Sequence, residues 1–319
     1  MKIEKSKIIN LKLTYRAPSL LFHHHLETIY PALLRHVPPR PFRRERLNTP
    51  DDDFLDLDWY ENNNPRLVII SHGLEGNSQR PYIVGMVRHA LAHGFDVLAW
   101  NYRGCSGEIN RQLRFYHSGA TDDLRLVVNH AASRYTHISL IGFSLGGNLT
   151  LKFMGEPGLA PAVKKAVAFS VPLHLSSSCD AISRPGNWPY AQRFLRHLKA
   201  KVIAKAIQFP ELDIQKLAGI KTLRDFDEQY TGPVHGFAGA EDYYTRCSAL
   251  GFLPNIALPT LLVNARNDSF LSPACYPRAT NANIMTEYPD RGGHCGFVQF
   301  NRNGVYWSEE RALQFLTHD

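Results

Sequence analysis

The chain has 319 residues, of which 44% are apolar and 11% aromatic, enough to bury the core of one large α/β domain or of two small ones. Lysine and arginine give a formal net charge of +7, but no nucleic-acid-binding signature accompanies that charge, so we expect no nucleic-acid partner. The five cysteines are scattered, with no C-x-x-C pair, and the chain shows neither a signal-peptide pattern nor an apolar run of roughly 18 residues. These features predict a soluble, cytoplasmic protein. We also expect a monomer.

The first 65 residues predict an N-terminal arm with edge strands. Residues 7–13 and 54–60 alternate between apolar and polar side chains, as antiparallel edge strands do. Between them, residues 38–46 are rich in proline and arginine. This basic run could contact acidic lipid headgroups, but we interpret it as a solvated arm that wraps its own domain. Three consecutive histidines, at 23–25, are not expected to point at one metal ion, so we predict a helix end or packing side chains and no metal site.

Strands and helices alternate regularly from residue 66 onwards. Apolar runs predict strands over 66–71, 95–102, 138–143 and 163–171, and helical spacing predicts helices over 82–93, 121–134 and 145–154. After an interruption, strands follow over 259–265 and 283–288, with a closing helix over 308–318. Such alternation predicts a mostly parallel sheet with helices on both faces.

Residues 173–258 interrupt this alternation. They contain helical stretches over 191–208 and 243–250 but no convincing strand. We interpret them as a helical cap inserted over the site, with the core formed by residues 1–172 and 259–319. Caps of this kind enclose apolar substrates and exclude water.

A Gly-x-Ser-x-Gly sequence marks the junction between the third predicted strand of this series and the helix that follows it. Gly142 and Gly146 flank Ser144 two positions away on either side, where a sharp turn leaves no room for bulk. A serine between a buried strand and a helix is the nucleophile elbow of the α/β-hydrolase fold. The sequence therefore predicts this fold, with Ser144 as nucleophile.

A serine nucleophile needs a base, and the base needs an acid to orient it. In this fold the chain order is serine, acid, histidine. Asp268 follows the strand after the predicted cap, and His294 lies in a glycine-flanked loop after the last strand. Alternative acids are Asp290, on the loop of the histidine, and Asp180 and Asp242, inside the cap. We predict Asp268 and His294.

Two backbone N–H groups are expected to hold the oxyanion. One belongs to Leu145, directly after the nucleophile, and the other to Leu74, in the loop after the strand over 66–71. His72, in the same loop, is interpreted as a scaffold for the turn. His117 and Asp122 form an H-x-x-x-x-D pattern, a spacing seen in some glycerolipid acyltransferases, which we interpret as structural.

Several stretches together resemble the YheT-like group of α/β-hydrolases. This group includes bacterial predicted hydrolases, yeast medium-chain ethanol acyltransferases and membrane-anchored mammalian lipid hydrolases. The matching stretches are His-Leu-Glu-Thr-Ile at 25–29, Ser-His-Gly-Leu-Glu-Gly at 71–76, Asn-Tyr-Arg-Gly-Cys-Ser-Gly at 101–107, Tyr-His-Ser-Gly at 116–119, Gly-Phe-Ser-Leu-Gly-Gly-Asn at 142–148, Arg-Asp-Phe-Asp at 224–227 and Gly-Gly-His-Cys-Gly-Phe at 292–297. Two positions depart from the group: Glu27 stands where glutamine is frequent, and Ser269 follows Asp268 where proline is frequent.

The resemblance implies a serine hydrolase that acts on carboxylic esters, with Ser144, Asp268 and His294 matching the triad of the group. We therefore predict a carboxylesterase for small-molecule esters with short- to medium-chain acyl groups, without metal or cofactor. One alternative is an alcohol O-acyltransferase that uses the same acyl-enzyme. Another is a non-catalytic binding module on a hydrolase fold. Peripheral contact with a membrane stays open at this stage.

Overall fold

The computed structural model describes residues 14–278 and 281–318. The strand expected over residues 7–13 lies outside them. The helices and strands, in chain order, are α1 (His24–Leu33), β1 (Arg43–Asn48), β2 (Phe54–Tyr60), β3 (Arg66–Ser71), α2 (Pro81–Ala92), β4 (Asp96–Asn101), α3 (Thr121–Ala132), β5 (His137–Phe143), α4 (Leu145–Met154), β6 (Val163–Phe169), α5 (Leu175–Ile182), α6 (Trp188–Ala206), α7 (Leu223–Phe226), α8 (Gly232–Val234), α9 (Ala240–Cys247), β7 (Thr260–Val263), β8 (Ile284–Glu287) and α10 (Trp307–Thr317).

The eight strands form one sheet in the order β1-β2-β4-β3-β5-β6-β7-β8. β1 and β2 run antiparallel to their neighbours, and all pairs from β4 to β8 are parallel. The predicted mostly parallel sheet is therefore confirmed. Each predicted core strand and helix is present, with ends that differ by at most three residues.

Apolar side chains cover both faces of the sheet. On one face, α3 and α4 contribute Leu124, Val127 and Leu149 to the largest apolar cluster. On the other face, α2 and α10 contribute Met86 and Leu313 to a second cluster. Because strands covered on both faces need apolar residues at nearly every position, β3, β4 and β5 read as continuous apolar runs in the sequence.

The arginine-rich run was expected to be a solvated arm, and this expectation is wrong for its second half. Arg43–Asn48 is the edge strand β1, which pairs antiparallel with β2. Arg44 forms an ion pair with Asp58 at 2.7 Å, and Arg46 forms one with Asp56 at 2.8 Å. β2 consequently lies second in the sheet, with the charged β1 outside it, and charged edge strands resist pairing with other chains.

Residues 173–258 contain helices and loops and no strand. A 19-residue helix, α6, is the longest element of this segment. Side chains from the segment form an apolar cluster of their own, which also takes in Phe115 and Phe270 from the sheet side. The segment thus packs internally and also rests on loops at one end of the sheet.

The loops after β3, β5, β7 and β8 all leave the sheet at the same edge, because parallel strands end on the same side. These loops carry the glycine-rich turn after β3, Ser144, Asp268 and His294, respectively. In α/β sheets, ligands bind at this carboxyl-terminal edge. The fold thus places the predicted site residues at one location.

Candidate active site

Ser144 occupies a strained turn between β5 and α4. Its backbone angles are φ 54° and ψ −119°, a region that residues with side chains rarely adopt. A Cβ on Gly142 would stand 2.2 Å from the backbone oxygen of Gly146, and one on Gly146 would stand 2.3 Å from that of Ser71. Both glycines are therefore required by close approach of backbone to backbone, which agrees with the interpretation of the motif.

The structure brings Ser144, His294 and Asp268 into one hydrogen-bonded chain. His294 Nε2 lies 2.9 Å from Ser144 Oγ, and its Nδ1 lies 2.8 Å from Asp268 Oδ2. A carboxylate only accepts hydrogen bonds, so in the neutral imidazole Nδ1 carries the proton and Nε2 is free to accept the serine hydroxyl. The second carboxylate oxygen, Asp268 Oδ1, accepts the N–H of Phe270 at 3.0 Å. The imidazole is thereby held in the tautomer that a general base needs.

The alternative acids lie elsewhere. Asp290 is almost fully exposed, with its nearest cationic partner, Arg266, at 3.6 Å. Asp180 forms an ion pair with Arg224. Asp242 forms an ion pair with Arg246, one turn along its own helix. Of the four candidate acids, only Asp268 contacts His294.

Opposing effects set the pKa of His294. Burial lowers the pKa of the imidazole, because it disfavours the charged form, whereas the Asp268 carboxylate and, after it, the neighbouring Cys295 raise it. The raising effects prevail, and the pKa of His294 rises from 6.5 to about 10. The ring of Phe270 covers the imidazole, with ring centres 4.3 Å apart. The pair is thus built to stabilise an imidazolium next to Ser144.

The loop after β3 passes close to the nucleophile, since a Cβ on Gly73 would stand 3.3 Å from Ser144 Cβ. His72 is fully buried, and its ring nitrogens contact the backbone of Gly73 and Tyr102, which makes it a scaffold for this turn. Burial lowers its pKa to about 3, so it stays neutral. The Leu74 and Leu145 N–H groups donate no hydrogen bond to any residue within 14–278 or 281–318, and both residues line a cavity with Ser144.

Helix α1 braces the loops of the histidine and the acid. Glu27 is fully buried, and its Oε2 accepts hydrogen bonds from Asn267 Nδ2 at 2.5 Å and from the Gly292 N–H at 3.1 Å. Its other oxygen lies 2.9 Å from the guanidinium of Arg291. One carboxylate thereby joins the residue before Asp268 to the loop that carries the histidine.

Three further contacts complete this brace. Thr28 Oγ1 accepts the backbone N–H of His294 at 3.0 Å, and Asn267 Oδ1 accepts the N–H of Gly293 at 3.1 Å. A Cβ on Gly296 would stand 2.3 Å from the backbone oxygen of Glu27. The His-Leu-Glu-Thr stretch and the Gly-Gly-His loop were both recognised as motifs in the sequence, but their patterns predicted no role for the glutamate. The available signal was a charged residue in the middle of an otherwise matching motif.

Two cavities meet at Ser144 and His294. The cap chamber, of about 140 Å³, extends beneath residues 173–258 and is lined largely by apolar side chains, among them Leu175 and Leu198. The α1 chamber, of about 210 Å³, extends between α1 and α6. Phe194 and Phe270 line both. Each volume is small beside the several hundred Å³ typical of sites for large ligands.

The three histidines before and within α1 lie closer together than expected. One ring nitrogen of each lies within 4.8 Å of those of the other two, so the three side chains do cluster, although they are consecutive. Their position at the start of α1 agrees with the predicted helix end. His23 Nδ1 accepts the N–H of His25 at the start of α1, and His25 Nδ1 contacts the Tyr190 hydroxyl at 3.1 Å. They border an open depression of about 890 Å³ that reaches Asp268 but neither Ser144 nor His294.

The H-x-x-x-x-D pattern does not form a catalytic pair. Asp122 is in the first turn of α3 and forms an ion pair with Arg114 at 2.9 Å. His117 accepts the Gly119 N–H at 3.1 Å, and burial holds its pKa well below the usual range. Its ring lines the cap chamber. The structural interpretation of this pattern therefore agrees with the geometry.

The sheet order, the elbow and the three loops at one edge define an α/β-hydrolase. Residues 66–299 match the family described as alpha/beta hydrolase fold, so the chain belongs to that family. It is 34% identical over 306 residues to an Escherichia coli protein named "Putative esterase YheT", covering 92% of this chain and 90% of that protein. The chain is therefore a member of the YheT-like group, and the predicted resemblance is confirmed.

Two more distant relatives extend the comparison. A Saccharomyces cerevisiae protein named "Medium-chain fatty acid ethyl ester synthase/esterase 2" is 26% identical over 284 residues, which covers 79% of this chain and 62% of that protein. The solved structure of the Pyrococcus furiosus esterase Pf2001 superposes with a TM-score of 0.59 at 18% identity, covering 88% of this chain and 95% of that one. The latter likeness shows the shared fold.

Proposed function

We propose that the chain is a serine carboxylesterase that cleaves esters through an acyl-enzyme on Ser144. The observation that carries the proposal is the chain of contacts from Ser144 Oγ to His294 at 2.9 Å and from His294 to Asp268 at 2.8 Å. Nucleophile, base and orienting acid are the three parts that acyl transfer by a serine requires. Membership of the YheT-like group, with a relative named as an esterase, supports the same reaction class.

In the proposed reaction, Ser144 Oγ attacks the ester carbonyl while His294 Nε2 takes its proton. The N–H groups of Leu145 and Leu74 stabilise the oxyanion, which needs two preorganised donors. His294 then gives the proton to the departing alkoxide, and the acyl-enzyme remains. Water enters and attacks the acyl-enzyme while His294 removes its proton. The second oxyanion collapses to the carboxylic acid as His294 returns that proton to Ser144 Oγ. Residues of the chain act as nucleophile, base and oxyanion donors, and the ester and water are the reactants.

We propose residues 173–258 as a cap that holds the acyl chain. The cap chamber starts at Ser144 and is walled by Leu175, Ile182 and Leu198. Its modest volume, of about 140 Å³, favours short- to medium-chain acyl groups. Asn148, in the helix after the elbow, donates to the Cys247 carbonyl at 2.8 Å and so ties the far end of the cap to the catalytic turn.

Transfer of the acyl group to an alcohol is the second candidate. The yeast relative named as an ethyl ester synthase and esterase favours it. Both reactions share the acyl-enzyme, and they differ only in whether water or an alcohol attacks it. Incubating the protein with an activated ester in the presence of ethanol, and separating free acid from ethyl ester, measures the ratio directly. A dominant ethyl ester would replace hydrolysis as the proposed activity.

The test of the mechanism is turnover of p-nitrophenyl esters from acetate to palmitate by the wild type, Ser144→Ala and a control, Ser133→Ala. Ser133 is the C-cap residue of α3 and precedes β5, whereas Ser144 follows β5, so the two serines lie at opposite ends of that strand. The Ser133 hydroxyl donates to the His130 carbonyl at 2.7 Å. We expect Ser144→Ala to lose about a thousandfold or more in rate and the control to match the wild type. A fluorophosphonate should label the wild type and the control alone. A wild type that neither turns over nor is labelled would favour the non-catalytic binding module.

A further inference from the structure

Helix α1 buries a charged side chain and exposes its apolar ones, the reverse of the usual amphipathic pattern. Its buried positions hold Glu27 and Pro31, one turn apart, whereas its leucines and isoleucine face outward. Amphipathic helices of globular proteins normally bury the apolar stripe and expose the charges. The exposed large apolar side chains in and beside this helix are Leu20, Phe22, Leu26, Ile29, Leu33 and Leu34. Contacts among residues 14–278 and 281–318 leave these side chains exposed, so burial by this part of the chain does not account for them.

An exposed apolar residue from a distant part of the chain packs beside this helix. The ring of Phe300 packs edge-on against Tyr30, with centres 5.4 Å apart, and is 51% exposed. Leu34, which is 68% exposed, borders the same depression as Phe300. We call the set Ile29, Leu33, Leu34 and Phe300 the α1 face. Exposed apolar side chains that cluster on one element mark sites of interaction.

The α1 face adjoins the mouth of a cavity that reaches the nucleophile. Ile29 and Leu33 line the α1 chamber, which extends inward to Ser144 and His294. An apolar molecule at this surface would thus have a direct path to the serine. That continuity distinguishes the α1 face from other exposed apolar residues, such as Ile207 at the end of α6, which border neither chamber.

Positive charges border the α1 face. Arg193 lines the α1 chamber and Arg302 lines the depression beside Leu34, and neither guanidinium has an ion-pair partner in the described part of the chain. The arginines of the edge strand differ, since Arg44 and Arg46 are held by carboxylates of β2. Arg193 and Arg302 therefore provide positive charge beside the α1 face that no carboxylate of the described residues neutralises.

We propose that the α1 face docks on an anionic lipid bilayer, with its apolar side chains in the headgroup region and Arg193 and Arg302 on lipid phosphates. Amphipathic surfaces with this mixture bind bilayers through buried apolar area and attraction to anionic lipid. A second copy of the chain fits less well, because a two-fold axis through this face would bring the same arginines toward each other. Docking is independent of the proposed esterase activity, whereas delivery of bilayer esters to Ser144 rests on it.

The test is co-sedimentation of the full chain with vesicles of phosphatidylcholine, with and without phosphatidylglycerol. We expect binding to the mixed vesicles that weakens as salt is raised, since salt screens charge. The double variant Leu34→Ser with Phe300→Ser should bind these vesicles at least about tenfold more weakly than the wild type. Arg193→Gln should lower binding about fivefold.

The matched control replaces Ile203 and Ile207 with serine, which removes similarly exposed apolar side chains, 52% and 82%, from the end of α6. It should bind like the wild type. Thermal melts of all variants show that they are folded. The proposal is overturned if the wild type ignores the mixed vesicles, if the control weakens as much as the α1-face variant, or if light scattering shows a dimer that the α1-face variant abolishes. Because binding needs no turnover, an inactive protein that binds refutes the esterase proposal alone.

Discussion

Glu27 offers the sharpest test of how the site is held together. Replacing it with alanine removes the acceptor of two hydrogen bonds, from Asn267 Nδ2 at 2.5 Å and from the Gly292 N–H at 3.1 Å. A buried donor left without a partner costs about 1–3 kcal/mol. The Gly292 N–H is buried and incurs this cost in full, whereas the half-buried Asn267 amide can turn toward water. The loops are therefore expected to move so that the N–H reaches another acceptor.

These loops carry Asp268 and His294, so their movement shifts the base relative to Ser144. A displacement of about 1 Å at a reacting centre can cost on the order of 100-fold in rate. We expect Glu27→Ala to lower kcat/KM by about 10- to 100-fold, with most of the change in kcat. Labelling by a fluorophosphonate should slow in parallel, because the same base activates the serine.

The matched variant is Glu27→Gln. Its amide oxygen can take the place of Oε2 and accept both hydrogen bonds, while its NH₂ group replaces the oxygen that faces Arg291. The Arg291 side chain is partly exposed and can turn toward solvent. We expect kcat/KM within about threefold of the wild type, since both hydrogen bonds to the two loops are kept and the Arg291 guanidinium, once released, is solvated by water. An alanine variant with wild-type kcat/KM would refute the positioning role, as would a glutamine variant as impaired as alanine.

Three shorter predictions concern the elbow, the acid and the H-x-x-x-x-D pattern. Gly146→Ala places a Cβ 2.3 Å from a backbone oxygen at the end of β3, so it should abolish activity and lower the melting temperature. The control Gly251→Ala, whose Cβ would have nothing within 4 Å, should change neither property. Asp268→Asn removes the charge that raises the pKa of His294, so the acid limb of the pH profile of kcat/KM should move to lower pH. The maximum of kcat/KM should fall by about a thousandfold or more. An acid limb that does not move would contradict this assignment. Asp122→Asn should leave ester turnover unchanged, and a large loss would revive a catalytic role for the pattern.

Sequence patterns predicted the central sheet and the site because both depend on local rules. Strands covered on both faces must be apolar at successive positions, which made β3 to β7 visible as short apolar runs. The nucleophile elbow needs glycines where backbone meets backbone, because a Cβ at Gly142 or Gly146 would stand 2.2–2.3 Å from a backbone oxygen. Asp268 and His294 followed from chain order alone, since the loops after β7 and β8 leave the same edge of the sheet.

β1 was not predicted because it is stabilised by pairing with β2 and by ion pairs with other segments, which the local sequence does not show. The residues Arg43–Asn48 carry four charges in six positions, a pattern that reads as solvated coil. Each arginine is paired with a carboxylate outside the strand, such as Asp58 of β2 for Arg44, and Glu45 is paired with Arg43 and His130. Pairing between distant segments overrides the local preference of such a run. The contacts of Glu27 with the acid and histidine loops were not predicted for the same reason, because its partners lie about 240 and 265 residues away in the sequence.

The reversed helix α1 connects the two proposals and separates them experimentally. Its inner face is polar because Glu27 must accept hydrogen bonds from two loops, and no apolar residue could do so. Its outer face has no such constraint within the domain, yet it carries leucines. If the inner face serves the reaction and the outer face serves a bilayer, the variants should dissociate. Glu27→Ala should lose turnover of a soluble ester and keep vesicle binding, whereas Leu34→Ser with Phe300→Ser should keep that turnover and lose binding. Loss of both properties in both variants would mean that α1 acts only as a structural support, and the division between its faces would be wrong.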